Sequence, residues 1–227
     1  TCALPISAST IGGAGTLTLS GVVSGTALTN AGAGTLNLSG ANTYTGVTTV
    51  NAGTLGYNGI LNVSGGASAL GAPTTGANGT IALAAGATLK YTGTGDSSNR
   101  VINLTGSGGT IDASGSGALT LSGGVTGITF DLTLTGSGAG TESGVIATTT
   151  GAVTKAGTGT WTLAGANTYS GVTTINAGVL SATTLANGGT ASSIGASTAV
   201  AANLVLGGGT LQYTGATAST NRAFTLT

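Results

Sequence analysis

The sequence predicts an all-β fold, a single-stranded parallel β-solenoid of about twelve coils, and three observations carry that prediction. Gly-Thr-Leu recurs at 15–17, 34–36 and 53–55, with successive copies 19 apart both times. The stretch 34–55 returns almost verbatim at 159–180, opened by Gly-Thr-Trp and closed by Gly-Val-Leu, again 19 apart. No window carries apolar residues at helical spacing without a glycine interruption, so essentially no helix is expected. A fixed period near 20 marks stacked units, each one turn of a coil that cannot bury its apolar side chains alone.

Composition narrows the class. The chain has 227 residues with 45 glycines, only 4% charged and 4% aromatic residues, no His and no Met. Two prolines and no triplet period exclude collagen. With 40% apolar residues the chain is not a disordered one either. Four basic and four acidic side chains cancel, so no Lys/Arg stripe exists for nucleic acid or an anionic membrane surface. No apolar run approaches the ~18 residues of a membrane span. So little charge favours a protein held in an assembly or displayed on a surface.

Taken in order, 1–8 matches nothing downstream and reads as an N-terminal tail. Its Cys2 is a free thiol or processing remnant, or alternatively a lipid-modified or intermolecular cysteine, and no internal disulfide is available to it. Thr1 to Ser7 lacks the basic and apolar regions of a signal peptide, so a secreted chain would be mature or a fragment. From 9 to 227 the pattern is one continuous solenoid. Short alternating runs bounded by glycine at 15–21, 34–40, 117–123 and 159–165 each read as a strand. Further strands are expected at 47–50, 80–83, 88–91, 101–104, 129–134, 172–175, 204–206, 210–213 and 223–226. Stacked in register, residues one coil apart lie about 4.8 Å above one another, placing Leu17, Leu36 and Leu55 in one interior ladder. Twelve rungs predict a rod about 55–60 Å long.

A longer period encloses the first. Residues 32–55 align with 157–180 at an offset of 125, whereas Tyr91, Asn99, Arg100 and Leu104 align with Tyr213, Asn221, Arg222 and Leu226 at 122. Three residues are therefore missing between those anchors, most simply in a loop. The segment expected after Thr227 is the kind with which the chain begins. This predicts either a piece of a longer array or subunits that stack head to tail through uncapped terminal coils.

The two long copies, Gly-x-Gly-Thr-Leu-x-Leu-Ser-Gly-Ala-Asn-Thr-Tyr-Thr-Gly-x-Thr-Thr-Val-Asn-Ala-Gly-Thr-Leu at 32–55 and its counterpart at 157–180, resemble the passenger-associated β-strand repeat of bacterial autotransporters and giant surface proteins. The resemblance implies a right-handed parallel β-helix exposed outside the cell or on the bacterial surface, serving as a stalk or adhesive segment. It covers the passenger portion alone, so secretion by that route is an implication of the family.

Chemistry is sparse. Without His there is no Ser-His-Asp triad and no imidazole metal site, and one Cys supports neither zinc nor iron–sulfur ligation. No catalytic or cofactor-binding residue and no cofactor is expected. The acids are Asp96, Asp112, Asp131 and Glu142. Asp112 and Asp131 lie 19 apart in Thr-Ile-Asp and Thr-Phe-Asp, a spacing that would stack their carboxylates as a candidate cation pair, against the plainer reading of two solvated aspartates. A polysaccharide-active β-helix enzyme would need such acids beside a sugar platform, which is missing. Arg100 and Arg222 read as charges decorating a bend, with contact to a neighbouring subunit or ligand as the alternative. Tyr44 and Tyr169 read first as bend-packing aromatics, with a carbohydrate-contacting surface as the alternative, and Trp161 as core in place of a ladder Leu. The expected function is a non-enzymatic structural or adhesive segment whose partners are its own copies, head to tail, and cell-surface or matrix glycans.

Overall fold

The computed structural model describes residues 9–227, together with the backbone of a strand at Leu4–Ile6 that pairs in parallel with Val23–Gly25. The rest of the expected tail, Cys2 included, lies outside the described residues. Thr-, Val- and Leu-rich runs form strands because β-branched side chains fit a pleated surface, and every strand-to-strand pairing is parallel. The strands stack as three sheets of ten, seven and six strands. The ten-stranded sheet runs from Thr16–Leu19 to Thr225–Leu226. The seven-stranded sheet runs from Ser9–Ile11 to Ile146–Ala147, and the six-stranded one from Asp96–Ser98 to Thr210–Tyr213. The chain visits them in rotation, as at Val125–Thr126 (seven), Leu132–Thr135 (ten), Ala139–Glu142 (six) and Ile146–Ala147 (seven again).

Register follows the repeat. Thr16, Thr35 and Thr54 pair across successive coils at the expected step, and Leu17, Leu36 and Leu55 form the expected ladder. The column continues inward through Leu89, Ile111 and Leu134, all buried. Each fully buried Leu or Ile contributes on the order of 1.5–3 kcal/mol by leaving water. Tyr57 and Tyr91 stack in the neighbouring column with ring centroids 5.4 Å apart. Strands alternate buried and half-buried positions, as in the pattern of Gly109–Ala113, because successive side chains point to opposite faces.

The coil count is about ten, not twelve. Coils in the middle of the chain are longer than the period, since Thr88 pairs with Thr110 and Thr110 in turn with Thr133. Two insertions lengthen the path further. One separates Thr54–Tyr57 from Ile81–Leu83, and the other separates Val179–Ala182 from Leu204–Leu206. Ten rungs at about 4.8 Å make a stack of roughly 43 Å, shorter than the rod the period alone implied. Among the described residues the only helical turns lie in these insertions. One is a single α turn at Gly76–Gly79, capped by the Thr75 hydroxyl accepting from the Asn78 amide; the other is a 3-10 turn at Ala201–Asn203.

The long repeat does not return to the face on which it started. Thr35–Leu38 lies in the ten-stranded sheet, but its counterpart Thr160–Leu163 lies in the six-stranded one. Likewise Thr48–Val50 belongs to the seven-stranded sheet and its counterpart Thr173–Ile175 to the ten-stranded one. Five rungs of the ten-stranded sheet separate Thr35 from Thr154, and Thr160 follows one face later, so the repeat spans five and a third turns. Equivalent features are thus rotated by a third of a turn between copies. The glycines closing each copy, Gly53 and Gly178, both hold positive φ, at 61° and 60°. A Cβ there would press on the carbonyl of Gly34 or Gly159, so glycine is required by both conformation and space.

Candidate functional site

The outward positions of the ten-stranded sheet build one surface. Register aligns Thr16, Thr35, Thr54, Thr88, Thr110, Thr133, Thr154 and Thr174 in an unbroken column of eight threonines. Strand pairing spaces their hydroxyls at about 4.8 Å. Beside it runs a mixed column of Thr18, Asn37, Gly56, Lys90, Asp112 and Thr135. Thr16 to Thr110 of the first column and Asn37, Lys90, Asp112 and Thr135 of the second line a shallow trough of about 580 Å³ that Thr92 also borders. Every lining side chain is polar: seven threonines with Asn37, Lys90 and Asp112.

Charge on this surface cancels. Lys90 and Asp112 sit on adjacent rungs with Nζ 3.9 Å from Oδ2, and the Ser114 hydroxyl donates to Asp112 Oδ1. Lys90 is 42% exposed, so the ion pair is a surface one worth roughly 0–1 kcal/mol. The other three cations of the chain are withdrawn from the surface. Lys155 occupies a ladder position between Leu134 and Ile175 and donates from Nζ to the carbonyls of Ala156, Gly157 and Ala177 at 2.6, 2.8 and 3.1 Å. Burial lowers its pKa. Its counterpart in the first copy, Asn30, donates to Ala52 and Thr54 carbonyls, so equivalent positions of the two copies, on different sheets, cap backbone carbonyls with different chemistry.

Arg100 and Arg222 do not decorate a bend. Arg100 is 2% exposed, and its guanidinium donates to the Leu61, Leu70 and Gly71 carbonyls of the first insertion. Arg222 donates to the carbonyls of Ala186, Thr190 and Gly195 and to the Ser197 hydroxyl of the second. Each arginine thereby ties an insertion to the coil beneath, because a buried loop must satisfy its own backbone oxygens. Burial lowers both pKa values. Reciprocal asparagine pairs reinforce the clamp: Asn62 accepts from the Asn99 amide while Asn99 accepts from Val63, and Asn187 and Asn221 repeat the exchange.

The Asn-Thr-Tyr signature anchors the same insertions from the other side. Asn42 accepts from the Val23 amide and donates to the Ala69 carbonyl, and Asn167 does so with Ile146 and Ser193. Tyr44 and Tyr169 are buried, with hydroxyls 2.8 and 2.9 Å from those of Thr48 and Thr173, as bend-packing aromatics should be. Trp161 is core, and its indole N–H donates to the Thr135 carbonyl.

The carboxylates expected to stack do not share a column. The coil that follows Asp112 is longer than the period, so Asp112 faces Lys90 on one side and Thr135 on the other. Asp131 falls in the preceding corner. Its carboxylate accepts from the Ser107 hydroxyl at 3.0 Å and the Ala152 amide at 2.8 Å, and its carbonyl accepts from Gly108. A fixed spacing in sequence predicts vertical neighbours only where the coil itself has that length. The acid with the most perturbed surroundings is Glu142, 1% exposed between Leu121 and Leu163. Its Oε1 accepts from the Gly144 amide at 2.8 Å, while Oε2 has no hydrogen-bond partner. Burial pushes this carboxyl up to about 7.

The passenger-associated-transport-repeat family matches residues 28–55 and 153–182, the segments that hold Asn42 with Tyr44 and Asn167 with Tyr169. An "Adhesin BmaC autotransporter" from Brucella suis biovar 1 (strain 1330) is 41% identical over 152 residues, an alignment covering 64% of this chain and 4% of that protein. No solved structure matches the chain. The chain carries, in two copies, the passenger-associated repeat of bacterial autotransporters.

Proposed function

We propose that the chain is a non-enzymatic, adhesive segment of a bacterial surface passenger, displayed outside the cell as part of a longer β-solenoid. The observation that carries the reading is the ten-rung sheet with its outward threonine column, a rigid polar surface on a fold whose relative is named an adhesin. Enzymatic chemistry is disfavoured by the state of the acids. Asp112 is engaged by Lys90 and Ser114, and Asp131 by a turn amide, so neither is poised as half of an acid–base couple. The test is adhesion: beads coated with the purified chain should adhere to host cells or extracellular matrix well above beads coated with an unrelated β-solenoid. Equal adhesion of the two would overturn the reading.

Head-to-tail assembly is a second reading, favoured by the terminal rungs. Leu17 and Leu226 occupy the interior ladder yet are 46% and 71% exposed, with Phe224 exposed beside the latter. Such apolar rungs are stabilised by a further coil, from the same polypeptide or from another copy. Filaments seen by electron microscopy at high concentration, with an axial repeat of about 48 Å, or ten rises of about 4.8 Å, support assembly between copies; discrete particles about 43 Å long count against it.

A further inference from the structure

We propose that the ten-stranded face binds an unbranched, uncharged polysaccharide laid along the axis of the coil. This names the partner of the adhesive surface and rests on that reading. Continuity is the first argument. The first insertion leaves the ten-stranded sheet after Tyr57 and rejoins the seven-stranded one at Ile81, so it occupies the six-stranded side. The second leaves the six-stranded sheet after Ala182 and rejoins the ten-stranded one at Leu204, so it occupies the seven-stranded side. The third-turn rotation of the long repeat thus leaves one face along which a straight partner meets rungs of both copies.

Chemical complementarity is the second argument. Each threonine hydroxyl donates one hydrogen bond and accepts two, matching the hydroxyls of a sugar. A polyanion finds no free Lys or Arg among the described residues: Arg100, Arg222 and Lys155 donate to buried carbonyls, and Lys90 is neutralised by Asp112. A protein partner finds no aromatic or Arg anchor among the residues of the trough. The same lack of aromatics removes any stacking platform, so no single rung binds strongly. Affinity arises by repetition along the axis, as in other multivalent contacts, and must grow with ligand length.

The experiment measures binding of the purified chain to cello-, xylo- and chito-oligosaccharides from dimer to hexamer, with heparin as the charged control. The expected result is binding of at least one neutral series that strengthens about tenfold or more from dimer to hexamer. The double variant Thr54→Val, Thr88→Val keeps the β-branched shape and should weaken that binding severalfold with an unchanged far-UV circular dichroism spectrum. The control Thr141→Val, Thr162→Val on the six-stranded face should bind like the parent. Binding to heparin alone, equal loss in both double variants, or no binding to any neutral series overturns the proposal. Bead adhesion run on the same proteins separates the two readings. Adhesion that persists without glycan binding overturns the glycan proposal alone, whereas absence of adhesion by the parent overturns the adhesive reading.

Discussion

Glu142 is the residue whose protonation the fold controls most directly. Its carboxyl is held at about 7 by burial against an ordinary 4.5, so the native state keeps a proton that the unfolded chain releases. A raised carboxyl pKa means stability falls as pH rises from about 4.5 to about 7 and then levels, by roughly 3 kcal/mol across that window. Denaturant unfolding at pH 5 and pH 8 should show the loss, and Glu142→Gln should abolish the difference. A second residue-scale constraint is Gly140, over which the Trp161 indole lies. A Cβ there would meet the ring at 2.6 Å. Gly140→Ala should therefore destabilise by about 1–3 kcal/mol through overpacking, measured as a lower denaturation midpoint with an unchanged m-value.

Among elements, the insertions depend on the arginines that hold them. Arg100→Met keeps much of the side-chain volume but leaves the Leu61, Leu70 and Gly71 carbonyls without their donor. Amide exchange should accelerate across 58–80 while the strands at Thr88–Tyr91 and Gly109–Ala113 stay protected, with a global cost of about 3–5 kcal/mol. Arg100→Lys should not rescue it, because one ammonium cannot reproduce the fork that spans three carbonyls. The repeat itself announced these clamps only in part. Recurrence of Asn99–Arg100 at Asn221–Arg222 was visible, yet a charged residue in a polar loop reads as solvated until the loop is seen folding back over it. Register also places the three missing residues. Offsets of 125 at Asn62, 124 at Gly71, 123 at Ile81 and 122 at Thr88 put one in each successive gap, two within the insertion and one in the turn after Ile81–Leu83.

At the scale of the whole molecule, each coil contacts chiefly its neighbours, so stability is a sum of rung and interface terms and is highest away from the ends. Native-state hydrogen exchange should be slowest at Leu89, Ile111 and Leu134, fall off toward Thr16–Leu19 and Thr225–Leu226, and change gradually with denaturant. A single exchange free energy shared by all rungs would contradict this picture and indicate one global cooperative unit.

The architecture followed from the sequence because a solenoid is written by local, periodic chemistry. Alternation sets each strand, glycine sets each bend, and the short period sets which leucines stack, all without long-range information. Thus the Leu17 ladder, the buried Tyr44 and Tyr169 and the core Trp161 were legible in advance. What the tertiary structure alone decided was azimuth and partnership. The coil from Thr110 to Thr133 is longer than the one from Thr35 to Thr54. That drift moved Asp131 into a corner away from Asp112 and spread ten rungs over a chain that the period alone divides into twelve. The same drift, summed with the insertions, turns the second long copy by a third of a turn and leaves the threonine column on one uninterrupted face. A period counts residues along the chain, whereas a face is defined by angle around the axis. The two agree only while every turn uses the same number of residues.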